Sequence, residues 1–446
     1  MHARKKLING QTLLATIIGI VIFLLLANAV FSLIKGSYLL TSFNRARITA
    51  RHLAQEKIEI IKNLPYENIG TIGGIPNGPL EQEETIRRNG LTYTVSTDVV
   101  YVDDEFDNTA PNDLLPTDYK RVRVAVSWEG IAKSRKNPVV FVTDIAPRGV
   151  ETTVGGGTLS ILVFNANGNP VPQAEVQIRA PNTNPPVNLT LQTAANGRII
   201  LPGAPACTSC YQITATKNGF SVDRTYSTSE VANPTKPHQT VLEGQLTEAS
   251  FTIDRTSTLT INTTNNRESN FSPLGNITLN IRGTKIIGTD TNDNPVYKYS
   301  NSFATNSEGN LVINNLEWDN YSISLPANSN YTFSGTNPFT PITIIPNANT
   351  NLRLALSSRT PNSLLIRFTN SSNVPIASVS ATLRDNGSFN QTILSGQNTD
   401  PDYGQVFFDS LSNANYYLYA SASGFLEVNT TIPVSGQTIY DVILSQ

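Results

Sequence analysis

The chain has 446 residues, of which 39% are hydrophobic and 15% charged, with a formal net charge of −2 at pH 7. That length can bury several cores rather than one, so three to five domains are expected. The near-neutral charge argues against a dedicated nucleic-acid binder, and only three histidines (His2, His52, His238) leave little for His-based catalysis or a multi-His metal site.

Low charge with plentiful Asn, Thr, Ser, Gly and Pro suits extracellular β-modules with uncharged polar surfaces. The charges are uneven: residues 1–155 hold 34 of them and the following 291 residues hold 32. The step falls near the Gly155-Gly156-Gly157 run and marks a boundary.

At the N-terminus, Arg4, Lys5 and Lys6 precede an apolar run, residues 12–34, with no charge before Lys35. At about 1.5 Å per residue this run crosses a hydrocarbon layer of about 30 Å. The leading basic cluster predicts a single-pass protein with a cytoplasmic N-terminus and everything after Lys35 outside, in the periplasm or the extracellular space. A cleaved secretory signal fits poorly, because the run is too long and no small-residue site closes it. Ala15, Gly19 and Asn28 lie on this membrane helix.

The helical pattern continues past the span. Leu39, Leu40, Phe43, Ala46, Ala50, Leu53, Ala54, Ile58, Ile61 and Leu64 recur at three- and four-residue spacing until Pro65. One helix over 11–64, about 80 Å long, is expected, half apolar throughout and half amphipathic. Gly19 and Gly36 are places where it bends or admits a close neighbour.

The leader ending at Gly10, followed by Gln11-Thr12-Leu13-Leu14 and the long helix, resembles the class III signal of type IV pilins and pseudopilins. The resemblance implies cleavage between Gly10 and Gln11 by a prepilin peptidase, N-methylation of Gln11, and assembly with other pilin-like subunits through the helix. The family usually carries Glu at the fifth mature residue, which here is Ala15. A carboxylate in lipid needs a partner, and in the family it pairs with a neighbouring subunit's terminal amine. Ala15 cannot do so, which implies a minor, tip-type subunit; the same loss suits a protein that is anchored without assembling.

Residues 65–150 read as the head of that unit. Residues 91–102, 119–128 and 138–145 alternate as strands that cover one helix face, giving an α+β fold with Trp128 in its core. Asp103, Asp104 and Asp107 lie between the first two of these strands. Clustered carboxylates suit the irregular oxygen cage of Ca²⁺, and a plain solvated acidic turn is the competing reading. No other cofactor is implied.

Beyond Gly157 the sequence repeats. Openers at residues 158–164, 258–263 and 363–369 each lead through a Pro-containing turn to an alternating strand, then to Asn196-Gly197, Glu308-Gly309 and Tyr403-Gly404. Each glycine is expected at a hairpin corner needing positive φ. A tyrosine-bearing strand follows in each repeat (Tyr211, Tyr321, Tyr416 to Tyr419). Three β-sandwiches are expected over 156–252, 256–356 and 361–446. This order resembles carboxypeptidase-regulatory-like and collagen-adhesin B-type domains, which implies Ig-like architecture and a spacer or binding role toward an extracellular ligand that the sequence does not identify.

Cys207 and Cys210 are placed in a loop of the first sandwich. Without the helix context of a redox Cys-x-x-Cys motif or further zinc ligands, a local disulfide is expected. No G-x-S-x-G, Walker A or H-E-x-x-H motif occurs, so the chain is not read as an enzyme. The sequence therefore points to a membrane-inserted, pilin-like filament subunit displaying adhesive modules. Its rivals are a pseudopilin of a secretion or DNA-uptake machine and a carbohydrate-binding surface protein held by its helix. An exposed aromatic row would favour the last; Trp318 beside Tyr321 is read as core packing.

Overall fold

The computed structural model describes residues 11–104, 113, 117–130, 138–147 and 156–446, with side chains from residue 16 onward. Helix α1 spans Gln11–Lys62. It ends where Pro65 cannot continue it, with Asn63 and Leu64 bonding back to Glu59, Ile60 and Ile61 carbonyls, and a short 3-10 turn, Tyr66–Asn68, follows.

Four strands, β1 (Glu83–Arg88), β2 (Leu91–Val102), β3 (Tyr119–Glu129) and β4 (Val139–Ile145), form an antiparallel meander in that order. The pairs Tyr93↔Trp128, Val95↔Val126 and Val99↔Val122 put all six side chains on one face. That face covers Ala46, Ala50, Leu53, Ala54, Ile58 and Ile61 of α1 in one core cluster. The three alanines matter because a residue without a long side chain lets helix and sheet approach closely. At the far end of the helix, Lys120 is 2% exposed, and its ammonium donates to the Tyr66 and Ile69 carbonyls at 2.8 Å each. Burial lowers its pKa to about 8.

Among the described residues after Gly156, three more core clusters occur, each sandwiched between two sheets. In each unit the opening strand (Gly156–Phe164, Ser257–Asn265, Ser363–Thr369) lies between two partners. One is the strand after the glycine turn, paired antiparallel. The other is the closing strand (Leu246–Thr252, Asn349–Ser358, Gln437–Ile443), paired parallel. The facing sheet is built around the second strand (Glu175–Ala180, Thr278–Arg282, Ser380–Arg384), which pairs antiparallel with the strand before the glycine turn on one side and with the tyrosine strand on the other.

Gly197, Gly309 and Gly404 have φ of +73°, +80° and +66°. They do not sit at hairpin corners, which corrects the sequence expectation: the strands before and after each turn belong to different sheets. The glycine is where the chain crosses the core, and its carbonyl accepts from the opening strand (Val163, Thr263, Phe368 N–H, 2.8 Å each). A Cβ there would meet Val163 O at 2.5 Å, Thr263 O at 2.4 Å or Pro375 Cβ at 2.7 Å. Close approach and positive φ both demand glycine.

Tyr211, Tyr321 and Tyr416 are buried and hydrogen-bond through their hydroxyls to backbone a few residues upstream. Tyr211 donates to Pro205 O (2.7 Å), Tyr321 donates to Glu317 O (2.8 Å), and Tyr416 Oη accepts from Ser412 N–H (3.0 Å). Trp318 is not core with Tyr321: it is half-buried, with Lys285 Nζ 3.1 Å from its ring centroid.

Neighbouring units are joined differently. The first and second share backbone pairing, Asn233–Pro234 against Ile286–Thr289. The second and third meet through side chains. Arg267 Nε and Nη2 bond Asp402 Oδ2 at 3.0 and 2.8 Å, and fully buried Gln405 exchanges two bonds with the Thr336 backbone (2.8 and 3.1 Å).

Candidate functional site

The strongest functional feature is the half of α1 that the head leaves bare. Phe23, Phe31 and Leu33 are 70%, 72% and 73% exposed, and Ile17 to Leu26, Val30 and Ile34 are also largely open. The most apolar stretch of this helix has mean hydropathy 2.8 and none of it is buried within the chain. It is long and apolar enough to cross a membrane. A surface of this size in water would be strongly unfavourable, so something apolar must cover it. From Phe43 onward the cover is supplied by the protein itself: Phe43 stacks 5.6 Å from Trp128, which lies 6.2 Å from Tyr93.

The residues singled out in the sequence divide as follows. Gly10 lies outside the described residues. Gln11 opens the described part of α1 and Ala15 lies one turn on. Gly19 and Gly36 have open space where a Cβ would stand, and Asn28 is exposed. The helix runs unbroken through both glycines, and the open space at each leaves room for a neighbour.

Cys207 and Cys210 are joined by a disulfide. They lie at the start of a strand, Cys207–Thr216, rather than in a loop. The disulfide-bearing end pairs with the short strand Gln239–Val241, which explains the difference: a partner strand was available that the local sequence does not announce.

Of the acidic cluster, Asp107 lies outside the described residues. Asp103 and Asp104 follow β2, and Asp104 N–H donates to the Asp118 carboxylate. Among the described residues no group of three or more His, Cys, Asp or Glu side chains is arranged to hold a metal ion.

Two features were not read from the sequence. One is a buried hydroxyl repeated in each unit: Thr193, Thr305 and Ser395 accept from Ala174, Ile277 and Val379 N–H at 2.9, 3.0 and 2.9 Å. They fasten the strand before the crossing glycine to the second strand. The only signal is a small hydroxyl residue four or nine positions ahead of each glycine, which is too common to notice. The other is the alternation inside the last tyrosine strand, where Tyr416 and Leu418 point inward while Tyr417 and Tyr419 are 40% and 37% exposed.

No family model matches the chain, and no curated protein matches it in sequence. Solved structures similar to it include the Bacillus anthracis TIE protein, at 12% identity over 82% of this chain and 74% of that one, with a TM-score of 0.20. The minor pilin of the Gram-positive pathogen Streptococcus agalactiae is 11% identical over 43% of this chain and 96% of its own, TM-score 0.18. The major pilin subunit of Bacillus cereus is 11% identical over 65% and 99%, TM-score 0.16. At these TM-scores the likeness carries no argument, and a functional reading rests on the helix and sheets themselves.

Proposed function

We propose that this chain is a minor, pilin-like subunit that enters the membrane through α1 and presents its β-units outward for adhesion or partner binding. The observation that carries the reading is the division of α1. One half packs under a four-stranded sheet, and the other is apolar and uncovered. Such a helix serves equally in lipid and, after extraction, against the helices of like subunits, which is what filament growth from a membrane requires. In this reading the prepilin peptidase cuts between Gly10 and Gln11, Gln11 becomes the methylated terminus, and Gly19 and Gly36 face neighbouring helices.

Two features favour a rare or terminal position over a repeating one. Ala15 offers no carboxylate to an adjoining subunit's terminal amine, and three two-sheet units are bulky to repeat along a thin filament. The mechanism is mechanical: helix burial supplies assembly, the head contacts neighbours, and the β-units extend the reach.

The test is intact-mass and N-terminal peptide analysis of the protein from its native membrane, with and without prepilin peptidase activity. A chain beginning at methylated Gln11 only when the peptidase is present is the expected result. A chain that keeps Met1 in both overturns the filament reading.

A further inference from the structure

The three β-units carry the same second strand and tyrosine strand, so their outward faces can be compared position by position. Arginine recurs at the end of the second strand: Arg179, Arg282 and Arg384. Opposite it across the tyrosine strand stand Gln212 in the first unit, Ser322 in the second and Tyr417 in the third. One rung further, Thr214 and Ser324 correspond to Tyr419. The fold therefore does not need aromatic residues at these two places, because two sibling units are built without them. Only the last unit places two large, exposed rings at these two positions, and burying exposed aromatic area is what such rings contribute to binding.

Tyr417 and Tyr419 stand about 6.6 Å apart along one strand and on one face. They line a shallow groove of about 520 Å³ with Arg384, Asn390, Asn429 and Thr431. Arg384 lies 5.8 Å from the Tyr417 ring centroid. Among the described residues its guanidinium makes no hydrogen bond or ion pair, so its charge and its fork of donors are open to a ligand. Flat rings, side-chain amides, a hydroxyl and one open cation answer the apolar faces, hydroxyls and carboxylate of an acidic sugar.

We propose that this face of the last unit binds a carboxylate-bearing glycan, its sugar rings on Tyr417 and Tyr419 and its carboxylate on Arg384. This deepens the display role above by giving the third unit a ligand class. It is tested on the purified full chain, whereas that role is tested by processing in the cell, so either can fail alone.

The experiment is calorimetric titration of the full chain in detergent micelles with hexagalacturonate and with the uncharged cellohexaose. The wild type is expected to bind hexagalacturonate and to prefer it. A Tyr417→Gln/Tyr419→Thr variant copies the first unit's residues and so keeps the fold. It is expected to bind at least about tenfold more weakly. Arg384→Gln is expected to abolish the preference while cellohexaose binding is unchanged. Absence of hexagalacturonate binding, equal affinity for the two sugars in the wild type, or undiminished binding by the double variant overturns the proposal.

Discussion

The two halves of α1 share one backbone and opposite surroundings. In the covered half, small residues at 46, 50 and 54 face a sheet and the longer ones fill its edges. In the bare half, large apolar residues point in every direction and meet nothing. The difference teaches that a single helix can be the core element of a folded domain along one stretch and apolar enough to cross a membrane along the other. The boundary between the two is set by where alanine periodicity begins, near Phe43, rather than by any break in the helix.

Changes in one half should leave the other intact, and the largest effect is expected at Trp128. Trp128→Ala removes the ring that closes the core above Phe43, and its indole N–H has no partner among the described residues, so little polar is lost. A loss of about 3–5 kcal/mol in the head is expected, read as faster hydrogen exchange of the β2 and β3 amides with membrane association unchanged. Equal exchange in the variant would show that the sheet does not depend on the helix.

Phe23→Arg puts a charge at the middle of the bare half and should cost about 3 kcal/mol of insertion. The expected outcome is a shift of the protein from the membrane to the soluble fraction, with head exchange unaltered. Ala50→Leu is the reciprocal change: a fully buried alanine gains bulk where helix and sheet touch. About 1–3 kcal/mol of head stability should be lost, with membrane association retained.

The smallest effect sharpens the far end of the covered half. Burial holds the Lys120 pKa near 8, below its ordinary 10.5. Between these values the unfolded chain binds more protons than the native head, so head stability should rise with pH across about 8 to 10.5. Lys120→Met should remove that slope. Persistence of the slope in the variant would assign it to another group.

Much of this architecture is written in local pattern. The helix and its end at Pro65 follow from periodicity, and β2, β3 and β4 from alternation. β1 was not legible because Glu83, Glu84, Arg87 and Arg88 leave Ile86 as its one large apolar residue; pairing along β2 makes it a strand. The crossing glycines stand out in the sequence but their role does not, since a turn between strands of one sheet and a turn between two sheets look alike in sequence. Cys207 reads as loop for a similar reason, since its partner strand, Gln239–Val241, lies far along the chain.

The candidate surfaces differ in the same way. An uncovered apolar helix is visible in composition alone. The groove on the last unit was not, because Tyr416, Tyr417 and Tyr419 read as one aromatic cluster until the pleat sends alternate rings to opposite faces. The unpartnered state of Arg384 depends on which strands flank it, and that is a property of topology.

Parallel pairing of the opening and closing strands means that the chain enters each unit at one end and leaves at the other. Tension between α1 and the last unit therefore loads these strands along their length. In the first unit the residue pairs from Thr158↔Leu246 to Phe164↔Thr252 share that load and fail together rather than unzipping one at a time. The same parallel pairing in the second and third units makes each a shear clamp in series, so the three units resist being pulled apart along the chain.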